Sequence, residues 1–350
     1  MTKAKGIGRR RAMALLAAGG LGLPATAALA QRAGEHAAEG RKGPFTIYQM
    51  TYRGETDVER GFRDYLAQRG IDAKIIQRNA ERDPAKVEEF RKEIAEIKPD
   101  LIYTWGTPVT LAAVGTYDGD GTNDLSKDYP VVFTMVAAPV RAKVVPDFQS
   151  SGRNLTGAFH VVPPDAQLRA IQSYRPIKAL GVLYTPTEQN SAAIVQRIEA
   201  LGRSEGFPVV VRAFKLDSEG RPVVEGYEQL LAEIKDAGAN WLIYPPDTFL
   251  GSQMDKIRPE AARLGLPTFG TTEQLVQSGR CLLGLICRYY SVGQLTAYKA
   301  EQILLEGRDP ATIPIETLKR FSLIINMQVA KELRLYPPLA MLNYAEVTGV

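Results

Sequence analysis

The chain has 350 residues, with 43 basic and 39 acidic side chains, a formal net charge of +4. Five of those cations (Lys3, Lys5, Arg9, Arg10, Arg11) fall in the first 30 residues, which carry no acid; the other 320 hold 38 basic and 39 acidic groups. A near-neutral body with no long basic run has no field to hold nucleic acid, and its length calls for two lobes, not one core.

The first segment reads as an export signal. A basic head precedes the apolar run AMALLAAGGLGL, and small residues, ATAALA, close it before Gln31. That pattern predicts cleavage after Ala30 by the general secretory route, and the paired arginines also allow the twin-arginine route. The apolar middle is short and rich in Gly and Ala for a bilayer-spanning helix, although an uncleaved anchor is the competing reading. Residues 31–43 are small and polar, a flexible tether. No later apolar run is long enough to cross a membrane.

Short apolar runs then alternate with amphipathic helices. Strands are predicted at 45–50, 72–78, 100–106 and 130–136, with helices at 55–70 and 83–99 and another opening at Pro108. The rhythm restarts after about residue 160: strands at 180–185, 209–216, 240–246 and 267–271, helices at 189–206, 225–238 and 249–264. Such alternation implies two α/β lobes, each a doubly wound parallel sheet. Parallel sheets bind ligands at the carboxyl ends of their strands. Here those ends read TYRGE (51–55), WGTP (105–108), VAAP (136–139), TPTEQNS (185–191), PPDT (245–248) and GTTE (270–273). Several open helices, whose free N–H groups hold anions, while their Ser, Thr and Asn side chains either cap the helix or meet a ligand.

The remaining signals favour ordinary structure. Cys281 and Cys287 would lie about 20 Å apart along a strand, too far for a disulfide, and read as buried core. His36 and His160 have no partners at metal-ligand spacing. Asp118, Asp120 and Asp124 resemble a calcium loop only loosely, since the twelfth position is Tyr129. Tyr48, Tyr103, Phe133, Tyr184 and Tyr244 read as core; Trp105 and Phe249 are placed to stack on a flat ligand. Phosphate-loop, dinucleotide, nucleophile-elbow and zinc-protease motifs are absent, and no spacing supports Glu55, Asp247 or Glu273 as a hydrolytic carboxylate pair.

The segment GVLYTPTEQNSAAIVQRIEALGRSEG (181–206) resembles a second-lobe strand–loop–helix of ABC transporter substrate-binding proteins of the tryptophan/tyrosine type, which have the type I periplasmic-binding fold. KPDLIYTWGTPVTLAA (98–113), PVVFTMVAAPVRAKVV (130–145), NLTGAFHVV (154–162), LPTFGTTEQLVQSG (266–279), YYSVGQLTAYKAEQILLEGRDPATIPIET (289–317) and FSLIINMQVAKELRL (321–335) follow in family order. The resemblance implies a periplasmic, monomeric receptor without a cofactor. It would close on a small solute and deliver it to a membrane permease. A sensor of the same fold and an exported hydrolase are the alternatives. It also implies three crossings between lobes, near 156–160, 285 and 310. Lobe 1 would then be 44–157 with 285–309, and lobe 2 would be 158–284 with 310–350.

Carried over residue by residue, the resemblance places Tyr52, Glu55, Thr107, Asn190, Ser191, Asp247, Thr271, Thr272, Tyr289 and Tyr290 at ligand-contacting positions. Two positions depart from it. Ala137-Ala138-Pro139 replaces a Thr-Asp-Pro-like sequence, and Arg288 stands where an acid often precedes the crossover tyrosines. With Ala138 and Arg288 in the cleft, the site would be less negative than the family pattern. It would then favour a carboxylate-bearing or neutral polar solute over a zwitterion, because an arginine fork suits a carboxylate.

Overall fold

The computed structural model describes residues 43–277 and 281–349. The predicted export signal, residues 31–42 of the predicted tether and the end of the LPTFGTTEQLVQSG segment lie outside them.

The first lobe is built from β1 (Phe45–Thr51), α1 (Asp57–Gln68), β2 (Ala73–Asn79), α2 (Val87–Ile97), β3 (Leu101–Trp105), α3 (Thr107–Val114), β4 (Val131–Thr134) and β5 (Leu155–Ala158). Its sheet runs β2-β1-β3-β4-β5 and is parallel throughout. β3, β4 and β5 are buried along their whole length, as expected of strands covered on both faces. α1 begins at a capping box, in which Thr56 accepts from Val58 N and Glu59 reaches back to Thr56 N. Its Val58, Phe62 and Leu66 recur at helical spacing and face the sheet.

The second lobe comprises α4 (Pro164–Tyr174), β6 (Leu180–Tyr184), α5 (Gln189–Glu205), β7 (Val209–Ala213), the β8 (Lys215–Leu216) and β9 (Pro222–Val223) hairpin, α6 (Tyr227–Asp236), β10 (Trp241–Tyr244), α7 (Thr248–Ser252), α8 (Met254–Arg263), β11 (Thr268–Gly270), α9 (Glu273–Gln277) and β12 (Leu283–Ile286). The chain then makes α10 (Tyr289–Leu304) and returns as β13 (Ser322–Asn326), α11 (Met327–Glu332), α12 (Leu339–Leu342) and β14 (Glu346–Thr348). The sheet order is β14-β13-β12-β11-β10-β6-β7, and only the β12–β13 pair is antiparallel. The single helix predicted over 249–264 is two, separated at Gln253.

α10 follows a strand of the second sheet but packs on the first lobe, and glycines make this possible. A Cβ on Gly61 of α1 would lie 2.0 Å from Tyr290 O, and one on Gly293 of α10 2.0 Å from Val58 O. The two helices therefore touch backbone to backbone.

Three connections join the lobes: residues 159–163, 287–288 and 317–321. The third comes later than the position near 310 that the resemblance implies. Residues 313–316 are still tied to β5: Thr156 Oγ1 donates to Ile313 O at 2.8 Å, Phe159 N donates to Glu316 O at 2.9 Å, and Glu316 bridges Ala158. Lys299 of α10, almost wholly buried, holds this segment by donating to Pro314 O and pairing with Glu316 at 3.0 Å. Cys287 Sγ and Thr317 Oγ1 are 3.3 Å apart, so the second and third connections run side by side. Both cysteines are free and buried. No described helix is long and apolar enough to cross a membrane.

Candidate functional site

The carboxyl ends of both parallel sheets meet at a cleft of about 570 Å³. The first lobe supplies Tyr52 and Arg53 after β1, Trp105 to Pro108 after β3, and Met135 and Ala137 after β4. The second supplies Thr187 to Asn190 after β6, Pro246 to Phe249 after β10, and Thr272, Gln274 and Leu275 after β11. His160 comes from the first connection, and Tyr289 opens α10.

The first wall is rich in donors. The Arg53 guanidinium lies 4.9 Å from the Trp105 ring centroid, a cation–π contact, and donates to Gln274 Oε1 of the second lobe. No carboxylate pairs with it among the described residues. Tyr289 is fully enclosed, within hydrogen-bond reach of Thr272 and Arg53. His160, 6% exposed, meets the Tyr289 ring edge to face at 6.1 Å. Burial, then the nearby Arg53 charge, lowers its pKa to about 3, so it is neutral at ordinary pH. His160 Nδ1 and Trp105 Nε1 are buried without hydrogen-bond partners.

The second wall is rich in acceptors. Asp247 caps α7 by accepting from Leu250 N at 2.8 Å, and it also accepts from Thr185 N at 2.7 Å, Thr185 Oγ1 at 2.8 Å and Ser191 Oγ at 2.8 Å. Those four donors use the carboxylate to lock the loops after β6 and β10 together. Glu188 accepts from Thr248 N and Phe249 N at 2.8 Å each. Burial and the adjacent Asp247 carboxylate push its pKa up to about 7. No cation pairs with Glu188 among the described residues.

Six of the sequence-derived candidates line this cleft: Tyr52, Thr107, Asn190, Asp247, Thr272 and Tyr289. Five do not. Glu55 is exposed and paired with Arg63 on the surface of α1. Ser191 is fully buried and spends its hydroxyl on Asp247. Thr271, equally buried, donates to Tyr244 O at 2.7 Å. Ala138 faces a different groove, because Met135 at φ 57 turns the chain left-handed at the end of β4. Arg288 pairs with Glu273 at 2.8 Å and with Glu346, outside the cleft. Tyr290 also points elsewhere, donating to Asp64 at 3.0 Å.

The expectation of a cleft less negative than the family pattern rested on Ala138 and Arg288 facing it, and neither is among its lining residues. The Arg288 charge is answered by two carboxylates, while Glu188 and Asp247 face Arg53 and Arg82 across the cleft. The hydrolytic pairing fails on geometry too, since Glu55 and Glu273 are both committed to ion pairs. Trp105 lines the cleft as expected, but Arg53 covers a face of its ring. Arg53, Glu188 and His160 were not singled out from the sequence. The first two lie inside TYRGE and TPTEQNS, and a charged residue at a strand's carboxyl end was the available signal.

Two α/β lobes with three connections and a polar cleft at their strand ends make a type I periplasmic-binding fold. The chain belongs to the ABC transporter substrate-binding protein family, whose model matches residues 53–348. It is 26% identical over 340 residues to a tyrosine-binding protein of Clostridioides difficile strain R20291, spanning 93% of this chain and 92% of that one. Among solved structures, a conserved domain protein from Vibrio cholerae superposes with a TM-score of 0.72 at 23% identity, covering 87% of this chain and 99% of the other. An ABC domain from Streptococcus pneumoniae in complex with L-Trp gives 0.69 at 23% identity, with coverage of 86% and 99%.

Proposed function

We propose that this protein is the exported, non-catalytic receptor of an ABC uptake system and that its ligand is an aromatic amino acid, delivered intact to a membrane permease. The observation that carries the ligand class is one cleft with a cation on one wall that has no carboxylate partner and a carboxyl on the other that has no cation partner among the described residues: Arg53 beside Trp105 and Tyr289, Glu188 beside Asp247. A zwitterion answers both at once. Its carboxylate meets the Arg53 guanidinium, with the orphaned Trp105 N–H as a further donor. Its ammonium group meets Glu188 and displaces the proton that carboxyl otherwise keeps. Tyr52 and Phe249 supply flat apolar surface for the ring. Relatives named for tyrosine binding and solved with L-Trp support the same class. This reading replaces the expectation of a carboxylate or neutral solute, which rested on Arg288 facing the cleft.

The moving bodies would be the two sheets with their helices, hinged at residues 159–163, 287–288 and 317–321. Closure drives water from between them and strengthens both charge contacts. Calorimetry with L-Trp and L-Tyr tests the proposal, alongside analogues lacking either the amine or the carboxylate. The amino acids should bind with at least ten times the affinity of either analogue, and raise thermal stability without turnover. Displacement of bound L-Trp by the deaminated acid with equal affinity would remove Glu188 from the site and restore the carboxylate reading.

A further inference from the structure

A second cavity of about 570 Å³ lies beside the first connection, on the flank of the molecule. Its walls come from both lobes: Val140, Arg141 and Phe148 on one side, Ile194 and Arg197 of α5 on the other, with Phe159 between. Most of this lining is apolar. Phe148 is 42% exposed, a large apolar side chain left to water, and its ring lies 5.1 Å from that of Phe159. The polar groups are few and of one kind. Arg141 donates to Gln196 across the groove, Arg197 has no partner among the described residues, and no Asp or Glu is among the lining residues. Asp165 pairs with Arg169 and Glu316 with Lys299, while Asp147, next to Phe148 in sequence, accepts from Gln149 N and Ser150 N in its own turn.

We infer that this groove is a second small-molecule site, for an amphipathic monocarboxylate whose apolar body lies on Phe148 and Phe159 and whose head lies between Arg141 and Arg197. The volume is that of a small-molecule pocket, and an apolar bed with a few convergent polar groups is the usual composition of one. Two guanidinium groups without a facing carboxylate select the sign of the head group, since a cation there would be repelled by both. The same chemistry covers a short fatty acid and an aryl-alkanoate, and the site is independent of the cleft reading because such ligands carry no amine.

Titration calorimetry on the full chain tests this with sodium octanoate, 3-phenylpropionate and octylammonium. Both carboxylates, or one of them, should bind one to one, and octylammonium at least tenfold more weakly. Arg141→Glu with Arg197→Glu should cut carboxylate affinity at least tenfold, while the response to L-Trp stays unchanged. Ala193→Trp, which fills the groove, should do the same; the exposed arginine pair decides the matter where that variant does not fold. The proposal is overturned by carboxylate binding that survives the arginine double variant, by equal binding of octylammonium, or by no carboxylate binding at millimolar concentration. A lost response to L-Trp in wild type would overturn the cleft reading and leave this one standing.

Discussion

The two walls of the cleft are made from the same architectural part, loops at the carboxyl ends of parallel strands, yet they are organised in opposite ways. On the first wall the polar atoms are left over: among the described residues Arg53 has no carboxylate, and Trp105 Nε1 and His160 Nδ1 have no partner. On the second the polar atoms are consumed: Asp247 takes four donors, and Glu188 takes the first N–H groups of α7. A buried polar group without a partner costs about 1–3 kcal/mol, so it persists where something outside the chain supplies the missing bond. The difference teaches that burial and polarity alone do not mark a binding residue. Asp247 lines the cleft and also braces its loops through four donors, whereas Glu188, after the neighbouring strand, has no cation beside it among the described residues and holds its proton up to about pH 7.

Substitutions can break that contrast. Glu188→Lys places a cation where the ligand's ammonium would sit and should weaken amino-acid binding by about 100-fold or more, roughly 3 kcal/mol, in calorimetry. Unchanged affinity would place the ammonium elsewhere. Arg53→Met should cost about tenfold to 100-fold and shift the emission of Trp105, which loses its overlying cation; Trp241, buried in the second lobe, should not respond.

Asp247→Asn tests the other half. Its amide nitrogen would confront donors that now bond a carboxylate, so unfolding free energy should fall by about 1–3 kcal/mol even without ligand. Affinity lost at unchanged stability would make Asp247 a ligand contact and not a brace.

The two walls should also titrate in opposite senses. Glu188 keeps its proton up to about pH 7 in the fold, whereas an unfolded glutamate releases it near 4.5. Its contribution to stability is therefore present below pH 4.5 and lost as pH rises through 7, while affinity for an ammonium ligand rises across the same range. His160 is neutral in the fold down to about pH 3, and an unfolded histidine takes a proton below about 6.5. Its contribution is present above pH 6.5 and lost as pH falls towards 3. Melting curves from pH 4 to 9 should show Glu188→Gln removing a fall in stability between about pH 4.5 and 7, and His160→Gln removing a rise in stability up to about pH 6.5. Arg288→Ala should leave ligand preference unchanged, because its partners Glu273 and Glu346 lie outside the cleft; its cost should fall on stability, since buried Glu273 loses its cation.

Much of the fold was legible because its signal is local. Alternating apolar runs and amphipathic helices need only the 2.0 and 3.6 residue periods, and the predicted strands at 45–50, 72–78, 180–185 and 240–246 all fall within or beside observed ones. The split of 249–264, the short strands β5 and β12 to β14, and the late third connection were not legible. Each depends on what the segment lies against: residues 313–316 belong to the first lobe because Thr156, Phe159 and Lys299 hold them there.

The sequence by itself determined the loops at which a ligand would be sought, since strand polarity dictates where a parallel sheet opens, and the cleft is drawn from those loops. Tertiary structure alone decided which side chains face the cleft. Arg288 is a cation in either setting, and only its approach to Glu273 and Glu346 removes it from the site. Glu188 is one acid among 39, and only burial beside Asp247 makes it hold its proton. Charge is written residue by residue, but whether it is spent or available depends on partners far away in the chain, which local sequence does not encode.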